Sequence, residues 1–334
     1  MFGLRTAVLA IGLSVSAPEA GTAANVQDLI NHAAFAELAP DEQIQAEIVK
    51  AQVLLDRASI SPGEINGRQS ESLIEAAQAF AEGHGLSATT KWSDEFWRRL
   101  TSSVSGPAIV EYTLQAEDVK GPFIEIPERL EDMIGLKALG YSSPREALAE
   151  KFHMSEELLA TLNPDASFQV GERILVANIR TEQASANAAR ITVDKDRQTV
   201  KAYSSDGKLL AFFPASVGSE DKPTPSGTLK VTAISSEPSF HYNPKYRFRE
   251  VATQKPFDLN PGPNNPLGSM WIGLSKPSYG IHGTPEPSLV GKSQSHGCIR
   301  VTNWDAQRLA VMLRKGVPVT FIDQRNEERF FVAY

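Results

Sequence analysis

The chain has a single cysteine, Cys298, among its 334 residues. One cysteine cannot form an internal disulfide bond, so a disulfide framework cannot hold this fold together. The N-terminus is typical of an exported protein, and a free thiol in an oxidising compartment is a liability unless it has a use. His282 lies sixteen positions before Cys298, within folding reach, and this pairing indicates nucleophilic catalysis.

Residues 1–24 are predicted to be a secretory signal peptide. Arg5 supplies a positive charge, a short apolar stretch follows over residues 6–17, and small residues at 20–24 offer a cleavage site. The alternative is an N-terminal helix of the mature protein. The apolar stretch is too short to span a bilayer, and no later segment has about twenty uninterrupted apolar residues. We therefore expect no transmembrane segment in the mature chain.

The formal net charge is −7, and the charged residues are spread along the chain without a block of one sign. A negative balance argues against nucleic acid or an anionic membrane surface as a partner. The length is sufficient for two or three compact units.

Three short helices are predicted between residues 41 and 102. Apolar residues recur there at near-helical spacing, and Ser-Pro-Gly at 61–63 and His-Gly at 84–85 interrupt the pattern. Ser93 is placed to cap the last helix. Residues 103–125, which contain several Gly, Pro and Ser residues, are predicted to be a linker.

Residues 126–178 are predicted to form a second small unit of mixed helix and strand. Ser143 precedes one helix, and Ser155 is placed to cap the next. An Asn-Pro pair at 163–164 ends that second helix, and a β-prone run follows at 173–176.

Short β-prone segments predominate from residue 189 to residue 323, and one helix is predicted near 304–314. An Asp-Gly pair at 206–207 indicates a hairpin. Residues 235–266 form a long stretch rich in Pro, Asn, Gly and Ser, and loops of that length in a compact domain usually carry the site. Residues 324–334 are expected to be a tail.

Acyl transfer by a cysteine requires a nucleophile, a base, oxyanion donors and a group that positions the substrate. Cys298 is the candidate nucleophile and His282 the candidate base. Gly283 allows a tight turn in which a backbone carbonyl orients the imidazole ring. Gly297 allows a turn that directs its own amide and that of Cys298 into the site. Arg300 is placed to pair with a substrate carboxylate.

Ser295 and His296 precede this turn, and each has two interpretations. His296 either helps to orient the cysteine loop or the substrate, or makes structural hydrogen bonds; Ser295 is either a hydroxyl near the thiol or a turn residue. A zinc or copper site formed by His282, His296 and Cys298 is a further alternative. A fourth ligand is not evident nearby in the sequence, so we expect neither a metal nor a cofactor.

The motifs around Cys298 closely resemble the L,D-transpeptidase catalytic domain, and the resemblance covers residues 189–323. Its carrying segments are Lys-Pro-Thr-Pro-Ser-Gly at 222–227, Asn-Pro-Gly-Pro-Asn-Asn-Pro-Leu-Gly at 260–268, Ile-His-Gly-Thr at 281–284, Gly-Lys at 291–292, Ser-His-Gly-Cys-Ile-Arg at 295–300 and Asn-Trp-Asp-Ala at 303–306. Residues 41–102 resemble the peptidoglycan-binding module found beside wall hydrolases, and residues 126–178 resemble a LysM-type glycan-binding module.

These resemblances imply a multidomain fold. A small all-α bundle and a small α+β LysM-like module would precede a mostly-β catalytic domain with one C-terminal helix. They also imply a two-step reaction on peptidoglycan stem peptides. Cys298 would take the acyl group of diaminopimelate from a tetrapeptide stem, and a second stem would receive it in a 3→3 cross-link.

Three alternatives stay open at this point. Water as the acceptor would make the enzyme an L,D-carboxypeptidase, or a hydrolase that releases a wall-bound lipoprotein. A wall-attached lipoprotein could instead be the acceptor. A non-catalytic scaffold that binds peptidoglycan is the third possibility. Expected substrates are stem peptides and glycan, the expected location is the periplasm, and the resemblance implies acylation of Cys298 by carbapenems.

Overall fold

The computed structural model of the chain describes residues 21–35, 44–86, 92–179, 186–218, 224–246, 251–293 and 297–323. Ser295, His296, the expected tail at 324–334 and residues 1–20 of the predicted signal peptide lie outside these ranges. Within them, no helix is both long and apolar enough to cross a membrane.

The N-terminal region is helical, as predicted. Helix α1 (Gly21–Asn31) precedes a bundle of α2 (Ala46–Arg57), α3 (Glu71–Gly83) and α4 (Asp94–Ser103). The Ser70 and Ser93 hydroxyls cap α3 and α4 by accepting from backbone amides of the first turn. The bundle core consists of fully buried apolar side chains, among them Ile48, Leu55, Leu73, Phe80, Phe96 and Leu100.

A second unit has two strands around two helices. Strand β1 (Ile109–Thr113) pairs antiparallel with β2 (Arg173–Ala177), and helices α5 (Pro144–Lys151) and α6 (Glu156–Leu162) lie between them in the chain. Hydroxyls cap both helices, that of Ser143 on α5 and that of Ser155 on α6. Asn31 ties α1 to this unit, because its amide nitrogen donates to the Ile109 carbonyl at 2.9 Å.

Strand β1 lies inside residues 103–125, the segment that the sequence predicts to be a linker. The glycine and proline residues of that segment flank a strand and do not mark an extended connection: β1 begins shortly after Gly106-Pro107. The pairing of β1 with β2 joins residues 60 to 68 positions apart, and local sequence patterns carry no information about such a partner.

The C-terminal unit is built on an eight-stranded sheet with the order β11-β10-β9-β6-β12-β3-β4-β5. Its strands are β3 (Arg190–Asp194), β4 (Thr199–Tyr203), β5 (Leu209–Pro214), β6 (Gly227–Ser236), β9 (Met270–Leu274), β10 (Gly280–His282), β11 (Ile299–Arg300) and β12 (Pro318–Ile322). Strands β7 (Phe240–Tyr242) and β8 (Phe257–Leu259) form a separate pair, and α7 (Asn303–Val311) packs on the large sheet. The predicted mostly-β unit with one C-terminal helix is therefore confirmed.

The helical bundle continues the large sheet beyond its last strand. Phe212 of β5 donates its amide to the Ser59 carbonyl at 3.0 Å and accepts from the Ser61 amide at 2.9 Å. Ile60 thus lies beside Phe212 as a parallel bridge. The Phe212 side chain is fully buried among the apolar residues of the bundle. The bundle and the sheet therefore share both hydrogen bonds and a core.

A buried ionic junction joins all three units. Asp56 of α2 accepts hydrogen bonds from Arg308 of α7 at 3.0 Å and from the His153 ring at 2.9 Å. Although burial favours a raised pKa, the opposite charge of Arg308 and the contact with His153 hold the pKa of Asp56 well below its ordinary value. The His153 ring stacks on Trp304 with centroids 5.0 Å apart. Asp56 is completely buried, so the junction lies away from water.

The connection between β1 and α5 lies against the C-terminal unit. Met133 and Leu139 share a small apolar core with Phe240, Tyr242 and Leu259 of the β7–β8 pair. The Leu139 amide donates to the Pro261 carbonyl at 2.9 Å, and the Leu139 carbonyl accepts from the Asn264 amide at 3.0 Å. This connection therefore fixes the loop that runs towards β9.

Candidate active site

Strands β10 and β11 bring the predicted site residues together. The two strands are parallel neighbours in which Ile281 lies opposite Ile299 and His282 lies opposite Arg300. Ile281 and Ile299 are fully buried in the main core. Because side chains alternate along a strand, His282 and Arg300 point to the other face. Cys298 directly precedes β11 and is only partly buried.

His282 is buried, with 5% of its surface exposed. Its Nδ1 atom lies 2.7 Å from the carbonyl oxygen of Gly283. A carbonyl can only accept, so Nδ1 carries the ring proton and Nε2 presents a lone pair. The contact is the one expected from the sequence, between the ring and the backbone carbonyl of Gly283; that it orients the ring for catalysis stays a prediction.

The His282 ring is covered by the indole of Trp271, with centroids 5.8 Å apart and planes at 24°. A side chain at position 280 would run into that indole, so Gly280 makes room for it. Burial, the positive charge of Arg300 and, in the opposite direction, the hydrogen bond to Gly283 together lower the pKa of His282 to about 3. The imidazole is therefore neutral at physiological pH.

A residue from another segment of the chain, Thr224, stabilises the turn before Cys298. Gly297 is buried and has φ = +99°, a conformation that favours glycine. Its carbonyl accepts from the Thr224 hydroxyl at 3.3 Å, and the same Thr224 oxygen accepts from the Gly218 amide at 2.8 Å. Thr224 belongs to the segment at 222–227, one of those that carry the resemblance to the L,D-transpeptidase catalytic domain.

The thiol of Cys298 faces a backbone carbonyl. Its Sγ atom lies 3.5 Å from the carbonyl oxygen of Ser278, to which it donates. Ser278 itself has φ = +65°, which is uncommon for a residue with a side chain.

Backbone hydrogen bonds hold β11 on both sides. Arg300 donates its amide to the Ser216 carbonyl at 2.9 Å and accepts from the Ser216 amide at 2.7 Å. On the other side the Val301 amide donates to the His282 carbonyl at 2.9 Å. Strand pairing thus fixes the backbone positions of His282 and Arg300 relative to each other, with Cys298 directly before β11.

Asn303, the first residue of α7, connects the site to its surroundings. Its Oδ1 atom accepts from the Ser269 amide at 3.0 Å and from the Thr284 amide at 3.1 Å. Gly268 and Gly283 approach this oxygen so closely that a Cβ on either would collide with it. The Asn303 side chain therefore anchors the segment that follows His282.

The sequence indicated Asn303 only as the start of a helix. Its Nδ2 atom donates to both carboxylate oxygens of Glu150, at 3.1 and 3.0 Å, and to the Pro263 carbonyl at 3.2 Å. Glu150 lies on α5 in the second unit, 153 positions earlier, and no local signal points to it. Glycine at both 268 and 283 was the one available hint that a side chain inserts between these segments.

Five of the predicted site residues lie together: Cys298, His282, Gly283, Gly297 and Arg300. Ser295 and His296 lie outside the described residues. Among the residues that are described, no group of three or more His, Cys, Asp or Glu side chains is arranged to hold a metal ion.

Residues 188–321 match the family model YkuD, described as the L,D-transpeptidase catalytic domain. This part of the chain is an L,D-transpeptidase catalytic domain. The motifs at 281–284 and 295–300, on which the resemblance was based, both lie within the matched residues.

Relatives with the same domain come from several bacteria. The putative L,D-transpeptidase YkuD of Bacillus licheniformis is 29% identical over 178 residues, which are 52% of this chain and 91% of that protein. The putative L,D-transpeptidase YqjB of Bacillus subtilis is 33% identical over 126 residues, covering 36% and 64%. The probable L,D-transpeptidase YbiS of Escherichia coli K12 is 26% identical over 192 residues, covering 55% and 62%.

Solved structures of L,D-transpeptidases are also similar to the chain. The enzyme from Mycobacterium smegmatis is 22% identical with a TM-score of 0.33, over 46% of this chain and 63% of that one. L,D-transpeptidase 3 from Mycobacterium tuberculosis is 16% identical with a TM-score of 0.34, over 47% and 76%. The chain thus spans less than two thirds of the first of these. The peptidoglycan-binding resemblance of residues 41–102 and the LysM resemblance of residues 126–178 stay predictions.

Proposed function

We propose that this protein is an exported peptidoglycan L,D-transpeptidase in which Cys298 carries the acyl group and His282 moves the protons. The main support is the geometry of β10 and β11. It combines a buried imidazole, whose Nδ1 proton is donated to the Gly283 carbonyl, with a partly exposed cysteine directly before the neighbouring strand. Both residues lie within a domain of the L,D-transpeptidase family.

In the first step, Cys298 gives its proton to Nε2 of His282 as its sulfur attacks the carbonyl carbon of a substrate amide. That amide joins the L-centre of diaminopimelate at position three to D-Ala at position four. The C–N bond breaks, the D-Ala amine leaves with the proton from the imidazolium, and a thioester remains on Cys298. The backbone amides of Gly297 and Cys298 stabilise the oxyanion.

In the second step an amine of another stem attacks the thioester. His282 takes the proton from the amine, the C–S bond breaks, and the Cys298 sulfur regains a proton from the imidazolium. The product is a 3→3 cross-link. If water attacks instead, the products are a tripeptide stem and free enzyme, which is the L,D-carboxypeptidase reaction.

The lowered pKa of His282 keeps its imidazole neutral in the resting state, and the Cys298 sulfur lies beside the Ser278 carbonyl. Arg300 contributes to the low pKa of His282. A substrate carboxylate paired with Arg300 would offset that charge and make the imidazole a better base. Full basicity therefore develops only when the substrate is bound.

The two N-terminal units complete the proposal as modules for a wall enzyme. Residues 41–102 and 126–178 would bind peptidoglycan or hold the catalytic domain at a distance from it. The predicted signal peptide would export the chain to the periplasm. A wall-attached lipoprotein is a second possible acceptor.

The test is incubation of the purified protein with tetrapeptide muropeptides, followed by mass spectrometry. We expect a 3→3 dimer with the natural chain and none with Cys298→Ala. Arg98→Ala, on the exposed face of α4, is the control and should retain activity. Tripeptide as the sole product would assign the carboxypeptidase reaction. An unchanged substrate, or binding of peptidoglycan without conversion, would contradict the enzymatic proposal.

A further inference from the structure

A single peptide unit connects His282 to Asn303. The Gly283 carbonyl, which accepts from His282 Nδ1 at 2.7 Å, belongs to the same peptide bond as the Thr284 amide. That amide donates to Asn303 Oδ1 at 3.1 Å. The peptide unit therefore accepts from the imidazole at one end and donates to the Asn303 side chain at the other.

A second amide extends the series of hydrogen bonds to a carboxylate. Asn303 Nδ2 donates to both oxygens of Glu150. The complete series leads from the His282 ring through the Gly283–Thr284 peptide and the Asn303 side-chain amide to Glu150. Thr284 and Asn303 are each 1% exposed. Water therefore does not interrupt the series at its centre.

We propose that Glu150 is a positioning residue that strengthens His282 as a base through these two amides. A carboxylate in direct contact with the imidazole has this role in a Ser-His-Asp triad. Here the negative charge polarises the Asn303 amide and makes its oxygen a stronger acceptor. The Gly283–Thr284 peptide is polarised in turn, and its carbonyl holds the Nδ1 proton more firmly. This inference rests on the proposed role of His282 as the base.

The groups around Glu150 come from four elements. Tyr141, in the connection before α5, donates its hydroxyl to Glu150 at 3.0 Å, and Asn303 donates from α7. Glu146 on α5 and Glu237 beyond β6 face it as like charges. Burial and these two carboxylates raise the pKa of Glu150 to about 7, against the lowering effect of the Asn303 and Tyr141 hydrogen bonds.

Glu150 therefore changes its charge near neutral pH, whereas His282, with a pKa of about 3, does not. Above pH 7 the carboxylate is ionised and the amides are polarised. As the pH falls through 7, Glu150 takes up a proton and the polarisation is lost. We expect the rate of Cys298 acylation to fall by roughly three- to tenfold to a plateau, as for a moderate loss of base strength.

The first measurement is the rate at which imipenem acylates Cys298, followed by mass spectrometry from pH 5 to pH 9. In Glu150→Gln the step near pH 7 should be absent, and the rate at pH 8 should equal the low-pH plateau of the natural chain. Glu146→Gln is the matched control on the same helix. It should keep the step but move it to lower pH, because Glu146 contributes to the raised pKa of Glu150.

A thermal unfolding curve separates this effect from damage to the fold. The Glu150→Gln side chain carries no charge to be buried, but its amide nitrogen faces the Asn303 Nδ2 donor in place of a carboxylate oxygen, so the two effects on stability oppose each other at pH 8. A slower reaction in a variant that still unfolds in one cooperative transition well above the assay temperature is what a positioning role predicts. A Glu150→Gln variant with the natural pH profile would overturn the proposal.

The second measurement needs no activity. In protein labelled with ¹⁵N-histidine, the Nδ1–H resonance of His282 should shift as the pH passes through 7, and the shift should be absent in Glu150→Gln. A resonance unchanged by pH in the natural chain would refute the proposal even if the variant did not fold. If imipenem forms no adduct with the natural chain, the proposed function fails, and the resonance still decides whether Glu150 acts on His282.

Discussion

At the scale of single residues, the site depends on an imidazole that is kept neutral by its surroundings. Trp271 and the neighbouring strands exclude water from His282, and Arg300 adds an unfavourable charge for the protonated form. Protonation of His282 would place a positive charge in a site from which water is excluded, and this is unfavourable. The His282 ring therefore stays neutral at acidic pH, where an exposed histidine would be protonated.

Removal of the indole should reverse this effect. We expect Trp271→Ala to admit water to His282 and to raise its pKa from about 3 towards the ordinary value. The imidazole would then be protonated below that new value, and activity at acidic pH would be lost. NMR titration of the His282 ring measures the change. Trp92→Ala, in the helical bundle, is the control and should leave the pKa of His282 unchanged. An unchanged pKa of His282 in Trp271→Ala would contradict this explanation.

Single residues also show where the sequence was informative. Cys298 and His282 could be proposed as site residues because their motifs are contiguous and because a lone cysteine needs an explanation. The contact of Trp271 with His282 has no signal in the sequence, since it depends on the pairing of β9 with β10. Glu150 could not be identified at all, because its partner is 153 positions away on another unit.

At the scale of elements, the start of α7 has a close fit to two loops. Asn303 inserts its side chain between the segments that contain Gly268 and Gly283. The Oδ1 atom of Asn303 accepts hydrogen bonds from the Ser269 and Thr284 amides, which fix its position. The fit couples the helix to the carbonyl that orients His282.

Substitution of Gly283 should therefore damage both stability and activity. A Cβ in Gly283→Ala would collide with the Asn303 amide, and overpacking of this kind costs about 2 kcal/mol. Displacement of the Gly283 carbonyl should also slow acylation of Cys298. Thermal unfolding and the acylation rate measure the two effects. Gly83→Ala in α3, where the nearest atom is 4.0 Å away, is the control and should be neutral or stabilising. Equal behaviour of the two variants would argue against the tight fit.

The elements with local signals were predicted well. Ser93 and Ser155 cap helices as expected, Ser143 caps the helix that it was expected to precede, and the Asp-Gly turn joins β4 to β5. Strand β1 was missed, because its pairing with β2 is a long-range contact and the residues around it are typical of a turn. The general rule is physical: caps and hairpins are decided by neighbours in sequence, and strand partners are not.

At the scale of the whole molecule, three units share one buried cluster of charges. Asp56 contacts Arg308 of the catalytic unit and His153 of the second unit from its place on α2. Because the pKa of Asp56 lies below its unfolded value, its contribution to stability is present above about pH 4 and is lost as the pH falls further.

Neutralisation of this aspartate should destabilise the chain as a whole. In Asp56→Asn, Arg308 keeps its charge with only 12% of its side chain exposed and loses its hydrogen-bonded carboxylate, although Asp305 stays nearby; removal of one partner of a buried ion pair costs about 3–5 kcal/mol. Calorimetry should show a lower unfolding temperature for all units together. Asp94→Asn breaks the exposed Arg98 pair of α4 and should cost about 0.5 kcal/mol or less. Independent melting of the bundle, with the sheet unaffected, would contradict the shared junction.

The contact between Phe212 and residues 59–61 has a further consequence for the catalytic domain. Strand β5 is the last strand of its sheet, and an uncovered outer strand offers its amides and carbonyls to any other chain. The backbone groups of Phe212 are hydrogen-bonded to Ser59 and Ser61, and the Phe212 side chain is buried in the bundle. A catalytic domain that began at residue 188 would expose these backbone groups and this side chain, and it would be prone to intermolecular strand addition. The helical bundle therefore protects β5 against aggregation, independently of any ligand that the bundle binds.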